Sequence, residues 1–184
     1  MIFLVRKKVY KKQHILAAAQ ELLIEHGFSA ITARNVAEYM GISTQPIYLE
    51  FKSMEELKLT LLKTTHKHLE AKFLSKTQTA NQIVDFGLNY IDLATSNSKL
   101  YISLYIDQHS YGQELRELSF LAFQKTLQKE ERYATATKEQ LEQLHLDLWI
   151  VVTGIASLSL SGIVDRTPEQ LKVIFETIEQ NCTI

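Results

Sequence analysis

The chain is poor in the residues that staple or bend a polypeptide, with one cysteine, two prolines and six glycines in 184 residues. A lone Cys182 cannot close an internal disulfide, which argues against a small stapled secreted fold and fits a reducing compartment. All-β architectures place more Gly and Pro at their corners than this, so long helices become the default. With 46% apolar and 22% charged residues, wholesale disorder and fibrous repeats are excluded. The opening apolar stretch, Met1 to Val5, is too short for a signal-peptide core, and its cations follow instead of preceding it. Secretion is therefore not expected, and a cytoplasmic location is. No internal repeat and no defensible strand segment is present, and 184 residues suffice for one long domain or two short ones.

One long uncharged run exists, the 17 residues from Leu148 to Val164, at the lower limit for a membrane span. It contains Thr153, Gly154, Ser157, Ser159, Ser161 and Gly162 and lacks a flanking basic cluster or aromatic belt, so a buried helix of a soluble protein is expected and no membrane partner. The net charge of −1 conceals an asymmetry. Residues 1–52 carry 7 Lys+Arg and 4 Asp+Glu, a net of +3, whereas residues 53–184 carry 13 and 17, a net of −4. Five of the seven cations are Arg6, Lys7, Lys8, Lys11 and Lys12. A basic front end on an acidic body is the electrostatic pattern of nucleic-acid binding, although a solvated basic terminus reads the same way on charge alone.

Punctuation divides the chain into about nine helices. Ile15, Ala19, Leu22 and Leu23 form a 3.6-residue stripe that stops at Gly27. Thr32 is placed to cap a short helix over Ala33 to Met40, with Ile31 and Val36 as a hydrophobic staple and Gly41 as its stop. Only Gly41, Ile42 and Ser43 separate it from the next start, where Ser43 is expected to cap and Pro46 to fall at the third helical position. Two short helices joined by a three-residue turn containing Gly read as a helix-turn-helix. Ser53-Met54-Glu55-Glu56 is a capping box that opens a long fourth helix reaching about Lys76. Further helices are expected over Ile83 to Ala94, Leu100 to His109 and Leu115 to Arg132, the last with Leu115, Leu118, Leu121, Ala122 and Leu127 on its apolar side. Two more open at the capping boxes Thr137 with Gln140 and Thr167 with Gln170, the latter followed by Pro168.

The segment from Thr32 to Ser53, with Gly41-Ile42-Ser43, Ile47-Tyr48 and Phe51-Lys52-Ser53 leading straight into the fourth helix, closely resembles the DNA-binding signature of TetR-type (TetR/AcrR-like) transcriptional regulators. The resemblance implies that the third helix enters the major groove with Ser43, Thr44 and Gln45 nearest the base edges. It also implies that Tyr48 and Lys52 contact phosphates and set register. Thr32, Arg34 and Pro46 complete the DNA-facing set it implies, and the basic arm adds further contacts. Glu50 departs from the pattern, because many relatives place His or an aromatic just before the phenylalanine. It either points away from DNA or pairs with a cation such as Lys52.

On this basis the chain is expected to be all-α, with a DNA-binding domain at residues 1–53 and a ligand-binding and dimerisation domain at 54–184. Family resemblance implies a homodimeric repressor on a palindromic double-stranded DNA operator, released by an unknown small-molecule effector, and no cofactor. Side chains suited to an effector pocket are Phe86, Tyr90, Tyr101, Tyr105, Phe120, Phe123 and Trp149, although an ordinary core uses the same residues. The expected dimer interface is a four-helix contact using Val151, Val152, Ile155, Leu158, Leu171, Ile174, Phe175 and Ile178. A dimer without any effector is the alternative, and a metal-responsive regulator a remoter one. His66 and His68 are two apart on a helix and cannot readily share an ion, and no paired Cys spacing is present. Nothing resembles a phosphate loop or a nucleophile elbow, and His109 near Asp107 or His145 near Asp147 could act only through tertiary contacts, so no enzyme is expected.

Overall fold

The computed structural model describes residues 10–128 and 130–182. Arg6, Lys7 and Lys8 of the basic arm lie outside the described residues. Among those described there are nine α-helices and no strand, and the chain forms two compact units, the first ending at Leu62 and the second beginning at Lys63.

In the first unit, α1 (Lys12–His26) buries Ile15, Ala18, Ala19, Leu22 and Leu23 on one stripe. Gly27, at φ 73°, ends it, a left-handed conformation that glycine adopts without a Cβ penalty. α2 (Ala33–Met40) starts where the Thr32 side chain accepts the Asn35 N–H at 3.1 Å. It stops at Gly41, φ 65°, where the Ile42 N–H bonds back to the Ala37 carbonyl at 2.9 Å, the helix-ending pattern that satisfies a terminal carbonyl. α3 covers Gln45–Glu50. The position capping it is Thr44, not Ser43 as expected, and no side chain makes a capping hydrogen bond there. Pro46 consequently lies one position nearer the helix start, where its missing N–H belongs to the groups without an intrahelical partner. Ile15, Leu23, Ile31, Val36, Ile47, Phe51 and Leu57 are among the core residues of this unit, each almost fully buried.

α4 (Met54–Leu69) runs on through a widened turn over Glu70–Leu74, in which the Ser75 N–H bonds the Glu70 carbonyl. The second unit is organised about α5 (Gln82–Ser96), which is buried through Ile83, Val84, Phe86, Gly87, Tyr90, Leu93 and Ala94 and packs on α7 (Gly112–Leu127), α8 (Lys138–Leu160) and α9 (Pro168–Asn181). Close approach explains Gly87, since a Cβ there would meet the Phe175 ring of α9 at 2.5 Å. Buried Asn89 ties the preceding loop to α5, accepting from Gln78 at 2.7 Å and donating to the Lys76 carbonyl at 2.7 Å. Thr137 and Thr167 make the reciprocal capping boxes with Gln140 and Gln170. α6 (Ser98–Tyr101) continues into a second widened turn over Ile102–Ile106.

Three expectations change. α7 ends at Leu127 instead of Arg132, because Glu131–Tyr133 forms its own short turn, in which buried Tyr133 hydrogen-bonds Glu179 of α9. Leu121, expected on the apolar side of α7, is 53% exposed. The apolar run through Val164 is not one helix: Gly162, at φ 70°, turns the chain after Leu160, and the Ile163 and Val164 N–H groups both return to the Leu158 carbonyl.

Candidate nucleic-acid interface and effector cavity

Within the first unit, α3 turns one face inward through Ile47, which is fully buried, and presents the other to solvent. Gln45, Tyr48 and Leu49, spaced three and four apart, share that outer face. Tyr48 is 54% exposed and Leu49 78% exposed, and Ser43, Thr44 and Lys52 are exposed beside them. Arg34 and Tyr39 are exposed on α2. The structure thus gathers hydroxyls, an amide, a phenol and cations on the surface of one motif, while Thr32 is engaged in capping α2 and Pro46 is half-buried. Leu49 and Tyr39 were not singled out from sequence. The signal for Leu49 was its position four residues after Gln45 on a helix whose inward anchor is Ile47.

Glu50 turns away from that surface. Its Oε2 accepts the backbone N–H of Lys12, the first residue of α1, at 3.0 Å. Neither of the two roles considered from sequence included a backbone donor 38 residues away. Around it the starts of α1 and α4 are cross-linked. The Lys12 Nζ pairs with Glu56 Oε1 at 3.2 Å and stands 4.6 Å from the Phe51 ring centroid, and the Lys52 N–H donates to Glu56 Oε2 at 2.8 Å. The Ser53 hydroxyl accepts from the Glu56 N–H at 3.1 Å, so one half of the expected capping box forms while the glutamate's return bond goes to Lys52. Those donors, the Lys52 N–H first, hold the Glu56 carboxyl below its ordinary pKa.

Within the second unit the aromatic side chains form a connected cluster. Tyr90, Tyr101 and Tyr105 are mutual ring neighbours at 5.2 to 5.9 Å, and Trp149 meets Tyr105 edge-on at 6.2 Å. Trp149 donates its indole N–H to the Tyr90 hydroxyl at 2.7 Å. Burial raises the pKa of Tyr90, Tyr101 and Tyr105 above the ordinary tyrosine value. A cavity of about 500 Å³ opens against this cluster. Its apolar wall is Leu104, Tyr105, Leu115, Leu146, Trp149 and Ile150, and its polar groups are Asp107, Gln108, His109 and Thr153. Of the seven aromatic residues singled out from sequence, Tyr105 and Trp149 line this cavity and Phe120 lines a second one of similar size with Arg116 and His145. Phe86, Tyr90, Tyr101 and Phe123 are buried in the core behind them. From sequence Asp107 and His109 read as a neighbouring pair and Gln108 as part of a helix, and none of the three pointed to a cavity.

Both histidines of the cavities are tied to protein partners. His109 is held between two backbone groups, with Nε2 2.7 Å from the Leu104 carbonyl and Nδ1 accepting the Tyr111 N–H at 3.1 Å, which fixes the proton on Nε2. His145, fully buried, bonds the Ser119 hydroxyl at 3.0 Å, and burial, reinforced by Arg116, pushes it down to about 4. Asp147 accepts from Gln143 at 2.8 Å and is not the partner of His145. Among the described residues no group of three His, Cys, Asp or Glu side chains is placed to hold a metal ion.

The expected interface residues divide by burial. Val152, Leu171 and Phe175 are buried inside the chain's own core and so are not available to a partner. Val151, Ile155, Ile174 and Ile178 are half-buried, and Leu158 is exposed with Ile150 on α8, Val173 on α9 and Ile163 beyond α8. α8 is long and apolar enough to cross a membrane, with 28% of its most apolar stretch buried within the chain. The buried part is a stripe of Leu144, His145, Leu148, Val152 and Ala156 packed on α5 and α9.

Residues 15–60 match the family model described as bacterial regulatory proteins, tetR family. No curated protein matches the chain. Among solved structures, a TetR family protein from Vibrio parahaemolyticus has 19% identity and a TM-score of 0.68, over 92% of this chain and 96% of that one. The flavonoid-responsive regulator FrrA has 18% identity and a TM-score of 0.61, over 92% and 93%. The fatty acid degradation regulator FadR from Bacillus halodurans has 17% identity and a TM-score of 0.56, over 95% of each chain. The chain shares its fold with these proteins.

Proposed function

We propose, from the match of residues 15–60 to the tetR family model, that the chain is a cytoplasmic transcriptional repressor of the TetR type which binds a palindromic operator as a homodimer and is released by a small-molecule effector. The observation that carries this reading is the outward face of α3, where Ser43, Thr44, Gln45 and Tyr48 are exposed while Ile47 and Glu50 are engaged inward. An amide and hydroxyls can exchange hydrogen bonds with base edges in the major groove, and Arg34, Tyr48 and Lys52 suit phosphates, which position the protein without reading sequence. Leu49 adds an apolar contact of the kind that packs on a thymine methyl.

Homodimerisation is supported by the exposed apolar residues Ile150, Leu158, Ile163 and Val173, which a second copy would cover. A two-fold dimer presents two copies of α3, hence a symmetric operator. Effector responsiveness is supported by the cavity beside Trp149 and by the flavonoid-responsive character of one structural neighbour. An effector that binds one arrangement of α4 better than another shifts operator affinity by its differential binding energy.

The test is selection of random duplex DNA on the purified protein at a stated salt concentration, followed by affinity measurements at several salt concentrations. The expected result is a two-fold symmetric motif whose binding weakens steeply with salt, as phosphate contacts release counterions. No enrichment at low salt would refute the reading.

A further inference from the structure

We propose that the cavity beside Trp149 takes a hydrophobic organic cation, a protonated or quaternary centre on an aromatic or aliphatic body, with the Asp107 carboxylate as its counter-charge. This rests on reading that cavity as the effector site. The charge of its lining is the first argument. Asp107 is the one acidic side chain among the lining residues, which include no Lys or Arg, and no described side chain bonds or pairs with its carboxylate. His109, the other titratable lining group, already has both ring nitrogens on backbone partners, the Leu104 carbonyl and the Tyr111 N–H.

Backbone electrostatics add to this. Asp107 stands at the C-terminal end of the helical segment Ser98–Ile106, where its N–H bonds the Ile102 carbonyl at 2.8 Å. A carboxylate beside a helix C-terminus is placed against the helix dipole, so the two negative potentials reinforce each other. α7 begins at Gly112 with its N-terminal, positive end toward the same cavity, but it carries Glu114 in its first turn. The apolar wall suits the body of such a ligand. Trp149 and Tyr105 are the aromatic lining, and the indole N–H is already committed to Tyr90, which leaves ring surface as what the tryptophan offers. Indole is the best aromatic partner for a cation. Carboxylates and phosphates of comparable shape would meet a repelling charge with no cation to offset it.

Trp149 is the single tryptophan of the chain, so its fluorescence reports occupancy of this cavity directly. Tetraphenylphosphonium and tetraphenylborate have nearly the same shape and opposite charge, and N-phenyl-1-naphthylamine serves as a neutral apolar probe. The full-length protein is titrated with each, with calorimetry as a second readout. Saturable binding of the phosphonium at least about tenfold tighter than the borate is expected, and Asp107→Asn should weaken the phosphonium by about fivefold while leaving the neutral probe unchanged. If the neutral probe binds but the charged pair shows no preference, prefers the borate, or ignores Asp107→Asn, the cavity stands as a binding site and the cation proposal is overturned. If none of the three binds, the effector-site reading fails and the proposal with it.

Discussion

Replacing Glu50 tests whether its carboxylate serves the fold or the DNA surface. Its bond to the Lys12 N–H, 3.0 Å long, satisfies one of the donors that α1 cannot pair internally. Losing a side-chain acceptor at a helix start costs about 0.5–2 kcal/mol, and the favourable placement of a negative charge there contributes about 0.3–1 kcal/mol. Glu50→Ala should therefore loosen the start of α1 by about 1–2 kcal/mol, whereas Glu50→Gln keeps an acceptor and loses only the charge, about 0.5 kcal/mol. Fluorescence would miss this, because Trp149 belongs to the second unit. Amide hydrogen exchange over Lys12 to His26 reads it, and a loss of about 1.4 kcal/mol corresponds to about tenfold faster exchange by local opening. Operator affinity of Glu50→Gln should be unchanged or raised, since a negative charge near phosphates is removed and α3 stays in place. Wild-type exchange in Glu50→Ala, or a large loss of DNA affinity in Glu50→Gln, would refute the reasoning.

Gly87→Ala should destabilise the second unit by about 1–3 kcal/mol, because the new Cβ would overlap the fully buried Phe175 ring. Urea unfolding followed by Trp149 fluorescence measures it, Phe175→Leu should relieve part of the loss, and an unchanged midpoint would contradict the packing. Below pH 6.5 the unfolded state protonates His145 while the folded state, with its pKa depressed to about 4, does not. Stability is therefore full above pH 6.5 and falls as pH drops toward 4, by on the order of 3 kcal/mol from this group. Equal urea midpoints at pH 7 and pH 5 would contradict that. Leu158→Glu places a charge on exposed apolar surface, so sedimentation should show a monomer with unaltered helical circular dichroism, and a dimer of wild-type mass would exclude this face as the interface.

Local features were the legible part. Thr32, Thr137 and Thr167 cap the helices predicted for them, and Gly41 ends α2 in the left-handed region, because capping is settled within a few residues. What depended on distant partners was not legible. Glu50 meets its donor across 38 residues, and Gly87 reads as an ordinary helical glycine until Phe175 is packed against it. The buried face of α8 could not be chosen from a run apolar on most sides, so Val152 read as dimer interface, and the single stripe of α9 does not by itself separate the chain's own core, Leu171 and Phe175, from a partner-facing edge. Aromatic residues divide between core and cavity by tertiary position alone, which is why Tyr90 and Tyr101 are filling while Tyr105 and Trp149 line an opening. α3 starts one residue later than a Ser43 cap implies, and no side chain caps it.

The central claim is that the outer face of α3 reads DNA sequence. The most direct measurement compares the affinity of the wild type and of Thr44→Ala/Gln45→Ala for the selected symmetric duplex and for a scrambled duplex of equal length, at one salt concentration. Each lost base-edge contact is worth about 1–3 kcal/mol of discrimination. The account predicts that the ratio of specific to scrambled affinity collapses toward one while scrambled binding is kept. An intact ratio in the double variant would contradict it.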